Sequence, residues 1–465
     1  MAGLAPQLIN ELDTICAVSS PAGEGAISII RASGKESLPI FKNIFEPYKN
    51  RVIPRTVHTG RIKDPFTLRY VDEVNAVFFK GPGTYTGEDM FEIYPHGGIF
   101  NTRYILEIII KSGARLAMRG EFTKRAYING KIDVLKAEAV LEIIKSTSIH
   151  NLLIANNQLS GLLGERIKSL KDDFLYLLAL IEALIDFSDE ELEDIDAKFL
   201  EKASRLENTL TGLIDSYAGY SRFEGGPSVV IAGAPNAGKS SLLNALLRKK
   251  RAIVHDVPGT TRDYIEEVIF LFNKPLKIVD TAGLRESGDL IEREGINLAL
   301  EQIEKSDLII YVFDPGKEFM DFSLGRFKDK IILFVLNKVD LLKEDEIKRY
   351  QKSLSEITGG KDIIPISASD NTGIEQLKTS IYERILELES ISEDEVGITT
   401  LRQKTLIEKC LDILKTASRK FKNKDPLEII SIDLREALFQ IDEITGAVSN
   451  EDILDTLFRE FCIGK

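Results

Sequence analysis

The stretch SVVIAGAPNAGKSSLLNALL, residues 228–247, decides how the chain is built. Its start, SVVIAGA, is apolar and β-branched like a buried strand, and its end, SLLNALL, reads as a helix. Between them GAPNAGKS, Gly233 to Ser240, meets the spacing G-x-x-x-x-G-K-[ST]. Glycines at such a turn let backbone N–H groups curl around phosphate oxygens, and the helix N-terminus adds the positive end of its dipole. Lys239 then reaches the β- and γ-phosphates and neutralises charge there, which makes it a catalytic candidate, and the Ser240 hydroxyl ligates magnesium.

Working outward, a glycine-proline break at Phe223-Glu224-Gly225-Gly226-Pro227 opens this section, and PLKIVD (275–280), DLIIYVF (307–313) and KIILFVLN (330–337) repeat the strand pattern. Near-continuous apolar strands alternating with helices imply a parallel sheet covered on both faces. Three short motifs follow the phosphate loop in an order that suits GTP. GTTRD (259–263) offers Thr261 as a second magnesium ligand, and DTAG (280–283) puts Asp280 near the metal and the Gly283 N–H near the γ-phosphate. In NKVD (337–340) Asp340 can accept from both N1–H and the exocyclic amine of guanine. Adenine lacks that donor pair, so a buried Asp340 would be left unpaired and ATP rejected. SAS, Ser367-Ala368-Ser369, supplies backbone support to the base. The expected GTP contacts are therefore Asn236, Ala237, Gly238, Lys239, Ser240 and Ser241 in the loop, and His255, Asp256, Val257, Pro258, Gly259, Thr260 and Thr261 in the segment after it. Asp280, Thr281, Ala282, Gly283, Asn337, Lys338, Asp340, Ser367, Ala368 and Ser369 complete the set. Leu284 follows DTAG where small GTPases carry a water-orienting glutamine, so another group must orient water or hydrolysis awaits a partner.

The remaining sequence divides around this α/β section. Residues 1–128 mix strand-like TICAV, AISII and VNAVFF with turn-rich GPGTYTGED and PHGG, an α+β pattern. Residues 129–221 turn helical, with Leu163, Ile167, Leu170, Phe174, Leu177, Ile181 and Leu184 at the spacing of a buried stripe. The α/β section runs 222–380, and helical pattern resumes over 381–465. The simplest architecture is an α/β domain inserted into a helical domain whose halves flank it. At 465 residues, with 43% hydrophobic and 29% charged, the chain suits several soluble domains. The apolar stretch Phe174 to Ile181 ends at Glu182, far short of the roughly 20 residues a bilayer span needs. Without the marks of a secretory signal in MAGLAPQLINELDT, the expected location is the cytoplasm.

Cys16, Cys410 and Cys462 are too few and scattered for a disulfide framework. Eight carboxylates and no cation fall between Glu182 and Asp196, a solvated run with no chemistry of its own. A net charge of −13 repels polyanions at long range, so nucleic acid must be met by a local basic patch or a partner.

DTICAVSSPAGEGAISIIRASG, GPGTYTGEDMFEIYPHGG, RGEFTKRAYINGKIDVLKAEAV, IEALIDF and LREALFQIDEITGAVSNEDILDTLFREFCIGK, added to the GTP motifs, resemble the MnmE (TrmE) family of bacterial and organellar tRNA modification GTPases over nearly the whole sequence. The resemblance implies an N-terminal dimerisation domain similar to folate-binding aminomethyltransferases, with a tetrahydrofolate derivative on Arg31, Glu88, Lys131 and Lys465. It implies a homodimer acting with the flavoprotein MnmG, in a heterotetramer, to install an aminomethyl-type group at carbon 5 of the wobble uridine of certain tRNAs. It also supplies the missing water-orienting group, Glu292, and a potassium ion held by Asn236 and by carbonyls at His255, Val257 and Thr260 when two G domains meet. A cation there takes the part of an arginine finger, which contributes about 10³ to 10⁵ in rate. This sequence departs from the family's usual pattern at Ala22-Gly23-Glu24-Gly25, at Ala234, at Ser188 and at His255 and Pro258.

Two other readings compete: a GTP-switched ribosome-assembly factor, which needs neither the first 130 residues nor CIGK, and a lipidated GTPase, which Gly464-Lys465 fits badly. The last residues, FCIGK, follow a helix capped by Asn450 with Ile453, Leu454, Leu457, Phe458 and Phe461 as its stripe. By the resemblance Gly464 bends the chain so that Cys462 and Lys465 face the folate, and a Cys462 thiolate acts there as nucleophile or acid if cations lower its pKa.

Overall fold

A computed structural model describes residues 13–49, 51–186, 195–223, 225–247, 266–272, 274–280, 301–316, 330–388, 395–447 and 451–465. In chain order the N-terminal part runs β1 (Ile15–Val18), β2 (Gly25–Ile27), β3 (Ile30–Ser33), α1 (Ser37–Ile44), β4 (Phe45–Pro47), β5 (His58–Lys63), β6 (Tyr70–Phe79), β7 (Met90–Tyr94), β8 (His96–Gly97), α2 (Ile99–Lys111), β9 (Arg115–Leu116) and α3 (Glu121–Ile128). Helices α4 (Val134–Lys145), α5 (Ile149–Ser160), α6 (Leu162–Asp186) and α7 (Ile195–Arg222) follow. Then come β10 (Ser228–Gly233), α8 (Lys239–Leu247), β11 (Glu266–Leu271), β12 (Lys274–Asp280), β13 (Leu308–Phe313), β14 (Ile331–Leu336), α9 (Glu344–Ile357), β15 (Ile363–Pro365) and α10 (Ile374–Leu388). The helices α11 (Leu401–Lys422), α12 (Leu427–Thr445) and α13 (Glu451–Arg459) close the chain.

Two compact units result: Met1–Leu141 with Leu159–Glu207 and Thr405–Lys465, and Glu142–Gln158 with Asn208–Lys404. The first holds a seven-stranded sheet ordered β4-β5-β6-β7-β3-β1-β9, antiparallel except for the β1–β9 pair. Phe41, Phe91, Ile30, Ile93 and Ile105 fill its core and are all fully buried. TICAV and VNAVFF form strands as their patterns imply, whereas AISII is split: Gly25–Ile27 pairs with His96–Gly97, and a separate strand starts at Ile30. The Ser28 N–H donates to Pro95 O at 3.0 Å, which draws the chain out of one sheet before it enters the other.

The helical stripe behaves as its spacing implies. Leu163, Ile167, Leu170, Phe174, Leu177 and Ile181 are buried on α6, which packs on α12, and only Leu184 near the helix end is half-exposed. Each such side chain stabilises by about 1.5–3 kcal/mol relative to exposure. At the other end of the chain, Phe458 and Phe461 enter a core with Val134, Ala137 and Leu141 of α4. Asn450 lies outside the described residues, as do the side chains of Ile453 and Leu454.

The second unit is built on a six-stranded sheet ordered β11-β12-β10-β13-β14-β15, parallel throughout except for β11 against β12. Apolar side chains line both faces: Val229, Ile231, Ile310 and Val335 on one, Val230, Ile309, Tyr311 and Phe334 on the other. That two-faced burial is why these strands read as continuous apolar runs and not as alternation.

Candidate functional site

In open parallel sheets ligands bind beyond the carboxyl ends of the strands, and the phosphate loop sits there, between β10 and α8. Its backbone requires its glycines. Gly233 has φ +144° and a Cβ would meet Val312 O at 2.4 Å; Gly238 has φ +94° and a Cβ would meet Asn337 Nδ2 at 2.2 Å. Asn236 also adopts a left-handed conformation, φ 62°, and is exposed at the loop tip. Lys239 is 7% exposed, with Nζ donating to Gly233 O at 3.1 Å and Ala234 O at 3.0 Å. These two carbonyls hold the ammonium against its own loop. Ser240 and Ser241 lie exposed in the first turn of α8.

The base-side motifs are joined to this loop by buried hydrogen bonds. Asn337, 2% exposed, donates from Nδ2 to Ala237 O at 2.8 Å and accepts at Oδ1 from the Ala368 N–H at 3.1 Å. One amide therefore ties three segments far apart in sequence. Lys338, at φ 62°, donates to Asn236 O at 2.9 Å and pairs with Asp314 Oδ2 at 2.8 Å. Ser367 is fully buried, its hydroxyl 2.8 Å from that of Ser369, and its N–H donates to Thr372 O at 2.9 Å. Asp340 is exposed, and not buried as the reading of NKVD took it to be. Asp314, with its side chain 8% exposed, belongs to this site although nothing in DPG marked it. The side chain of Asp280, and His255, Asp256, Val257, Pro258, Gly259, Thr260, Thr261, Thr281, Ala282, Gly283 and Glu292, lie outside the described residues.

A second cluster forms in the first unit, where the last residues of the sequence dock against the sheet. The Ser19 hydroxyl donates to Gly464 O at 3.1 Å, Arg31 Nη1 to the same oxygen at 3.3 Å, and the Phe122 N–H to Lys465 O at 3.1 Å. Arg119 bridges to Ile463. Arg31 also grips Glu92 Oε1 through Nε at 3.0 Å and Nη2 at 2.7 Å, with its guanidinium 5.7 Å from the centre of the Phe122 ring. Tyr94 donates its hydroxyl to Glu92 Oε2 at 2.7 Å. Burial first, and then the Arg31 charge, push the Lys465 ammonium below the usual lysine range, with Cys462 and Glu92 opposing. Cys462 itself is exposed.

Glu88 is brought beside this cluster's strands but is held by different partners. Ser33 Oγ donates to its Oε2 at 2.6 Å, and Arg125 Nη1 lies 3.0 Å from Oε1 and 3.1 Å from Oε2. Arg125, 5% exposed, continues to Asp13 O at 2.7 Å and to Glu121 Oε1 at 3.2 Å. Burial would raise the Glu121 carboxyl, but the Arg115 hydrogen bonds, the Met118 N–H and both arginine charges outweigh it and hold the group below its usual range. Lys131 is exposed and donates to Pro82 O at 3.0 Å. Arg31 and Lys465 thus share one cluster, with Glu88 and Lys131 each engaged elsewhere. Arg125 and Glu92 carry no motif of their own; their roles come from strand register, Arg31 opposite Glu92, and from the α3 face.

The family model for the N-terminus of the GTP-binding protein TrmE matches residues 14–131, and that for the MnmE helical domain matches 134–462. The tRNA modification GTPase MnmE of Carboxydothermus hydrogenoformans is 40% identical over 462 residues, 97% of this chain and 99% of that protein. The MnmE of Geotalea uraniireducens is 41% identical over 464 residues, again 97% and 99%. The chain belongs to the MnmE family of tRNA modification GTPases. As a member of that family it is a GTPase. The solved structure of Aquifex aeolicus Era bound to GDP and aluminium fluoride is 23% identical over 40% of this chain and 66% of that one, with a TM-score of 0.28. A GTP-binding protein of Sulfolobus solfataricus in complex with GDP is 18% identical, covering 62% and 78%, with a TM-score of 0.27. No helix among the described residues is long and apolar enough to cross a membrane.

Proposed function

We propose that the chain couples GTP hydrolysis to tRNA modification at carbon 5 of the wobble uridine, adding an aminomethyl-type group with a tetrahydrofolate one-carbon carrier. It does so in the cytoplasm as a homodimer, with an MnmG-like flavoprotein. The observation that carries this reading is the convergence of Arg31, Glu92, Gly464 and Lys465 on one patch, with Arg31 and Gly464 433 residues apart in sequence. Arg31 pairs with Glu92 there, and burial first, then the Arg31 charge, depress Lys465, so an anionic group such as a folate glutamate tail would stabilise its ammonium. In this reading 1–128 is the folate and dimerisation domain, 129–221 and 381–465 are halves of one helical domain, and 222–380 is the GTPase.

On the nucleotide side, Lys239 binds the β- and γ-phosphates and Asn337 fixes the loop against the base-binding segment. Ser240 and Thr261 would hold magnesium, which would supply neutralisation of phosphate charge. Glu292 orients the attacking water. Asn236 with the carbonyls of His255, Val257 and Thr260 would hold potassium beside the phosphates. GTP turnover in potassium is then expected to exceed turnover in sodium by at least tenfold, a small part of the range an arginine finger spans; equal rates would remove the ion from the mechanism.

Mass spectrometry of wobble nucleosides tests the whole reading. Cells lacking the chain should lose the modified uridine, the intact chain should restore it, and Cys462→Ser should restore GTP turnover without the modification. Unchanged nucleosides in the deletion strain would refute the reading. Full restoration by Cys462→Ser would make that cysteine a surface residue.

A further inference from the structure

The most basic stretch among the described residues lies far in sequence from both clusters. Residues 415–424, KTASRKFKNK, carry five cations and no carboxylate in a chain of net charge −13. They form the last two turns of α11 and the residues just beyond it. Lys415, Arg419 and Lys422 are spaced i, i+4, i+7, so they share one face of the helix, and each is exposed. Lys424 follows in a left-handed conformation, φ 61°, also exposed. The opposite face is anchored: Cys410, Leu414 and Ala417 are fully buried, and Phe421 stacks on Phe199 of α7 with ring centres 4.2 Å apart. The charges are therefore held on a rigid helix.

Ordinary structural roles account for part of the cluster only. Lys420 is paired with Asp433 of α12 at 2.7 Å. A helix C-terminus favours cations by about 0.3–1 kcal/mol each, but only within the last turn, which takes in Arg419, Lys420 and Lys422. Lys415 lies seven residues before the end of the helix and Lys424 lies past it. Like charges at i and i+4 cost roughly 0.2–0.5 kcal/mol a pair. Among the described residues none of Lys415, Arg419, Lys422 or Lys424 is in an ion pair.

We propose that this face of α11 is where the chain meets the phosphate backbone of tRNA. The assignment rests on the tRNA reading above and adds the surface: a row of four exposed cations, rigidly mounted, on a molecule whose net charge otherwise repels RNA. Backbone phosphates are met by such cations without sequence readout, so the surface gives affinity and orientation, and the choice of tRNA lies elsewhere.

Binding of the full-length chain to an unmodified tRNA transcript, followed by fluorescence anisotropy across a salt series, tests it. Each phosphate contact contributes about 0.7–0.9 to the slope of log affinity against log salt. The variant K415Q/R419Q/K422Q is therefore expected to lose about 2 from that slope and about tenfold in affinity at low salt. K348Q/R349Q/K352Q removes three exposed cations from α9 and changes net charge equally; it should bind like the parent. GTP turnover should be unchanged in both. Equal behaviour of the two variants, or no effect of either, overturns the surface while the parent's own binding leaves the tRNA reading standing. Absence of tRNA binding by the parent overturns both, and so does binding to phosphatidylglycerol vesicles in place of tRNA.

Discussion

Alanine in place of Lys239 is expected to lower single-turnover GTP hydrolysis at least a hundredfold while the chain stays folded. Removing one aimed donor from a developing charge typically costs about 10² to 10³ in rate, and here the donor is an ammonium with 7% exposure. Gly233 O and Ala234 O lose a donor each. Ala234 O keeps the Ala237 N–H as a donor, so stability should fall by no more than about 1–3 kcal/mol. Asn337→Ala separates the two effects from the other side. It leaves the ammonium in place but frees Ala237 O and the Ala368 N–H, and should weaken GTP affinity more than the rate on bound GTP. Hydrolysis by Lys239→Ala within tenfold of the parent would place the catalytic charge on another residue.

The GTPase sheet was readable from sequence because its chemistry is local. Phosphate loop, strand and helix occupy twenty consecutive residues, and the glycines that mark it are the ones its left-handed turns require. Asn337 shows where such reading stops. NKVD marked it as a base-side residue, yet its amide joins Ala237 to Ala368, a contact that exists only after β14 has been placed beside β13 and β15. Asp314 escaped notice for the same reason, since its partner Lys338 is 24 residues away and nothing at DPG announces a buried carboxylate. In the first unit, Arg31 and Lys465 were named through resemblance alone. Glu92 and Arg125, which hold Arg31 and Glu88, were invisible because antiparallel register and helix facing select them, and neither leaves a local pattern. AISII misled because apolar content marks a strand but not the residue where the chain leaves one sheet for another.

Gly464→Val should release the last residues from the sheet and abolish the one-carbon step while sparing GTP turnover. Gly464 sits at φ +97°, a conformation costing a side chain of ordinary hand about 1–2 kcal/mol. A Cβ there would also lie 2.6 Å from Val18 O and 3.0 Å from Ser19 Cα. Both are backbone atoms in or next to β1, which is paired on both sides by β3 and β9 and cannot retreat. The tail must move instead. Arg31 and Ser19 then lose Gly464 O, the Phe122 N–H loses Lys465 O, and Lys465 leaves the neighbourhood of Glu92. Binding of a tetrahydrofolate derivative, followed by calorimetry, should weaken at least tenfold, which is about 1.4 kcal/mol. Gly113→Val is the matched control: its φ is +116° but nothing lies within 4 Å of the added Cβ, so it carries the backbone strain without the collision. If the two variants bind alike, strain alone explains any loss and the docked tail is not part of the folate site. A loss confined to Gly464→Val, with GTP turnover at parental rate, would mean that the final turn of the chain completes a pocket begun at Arg31.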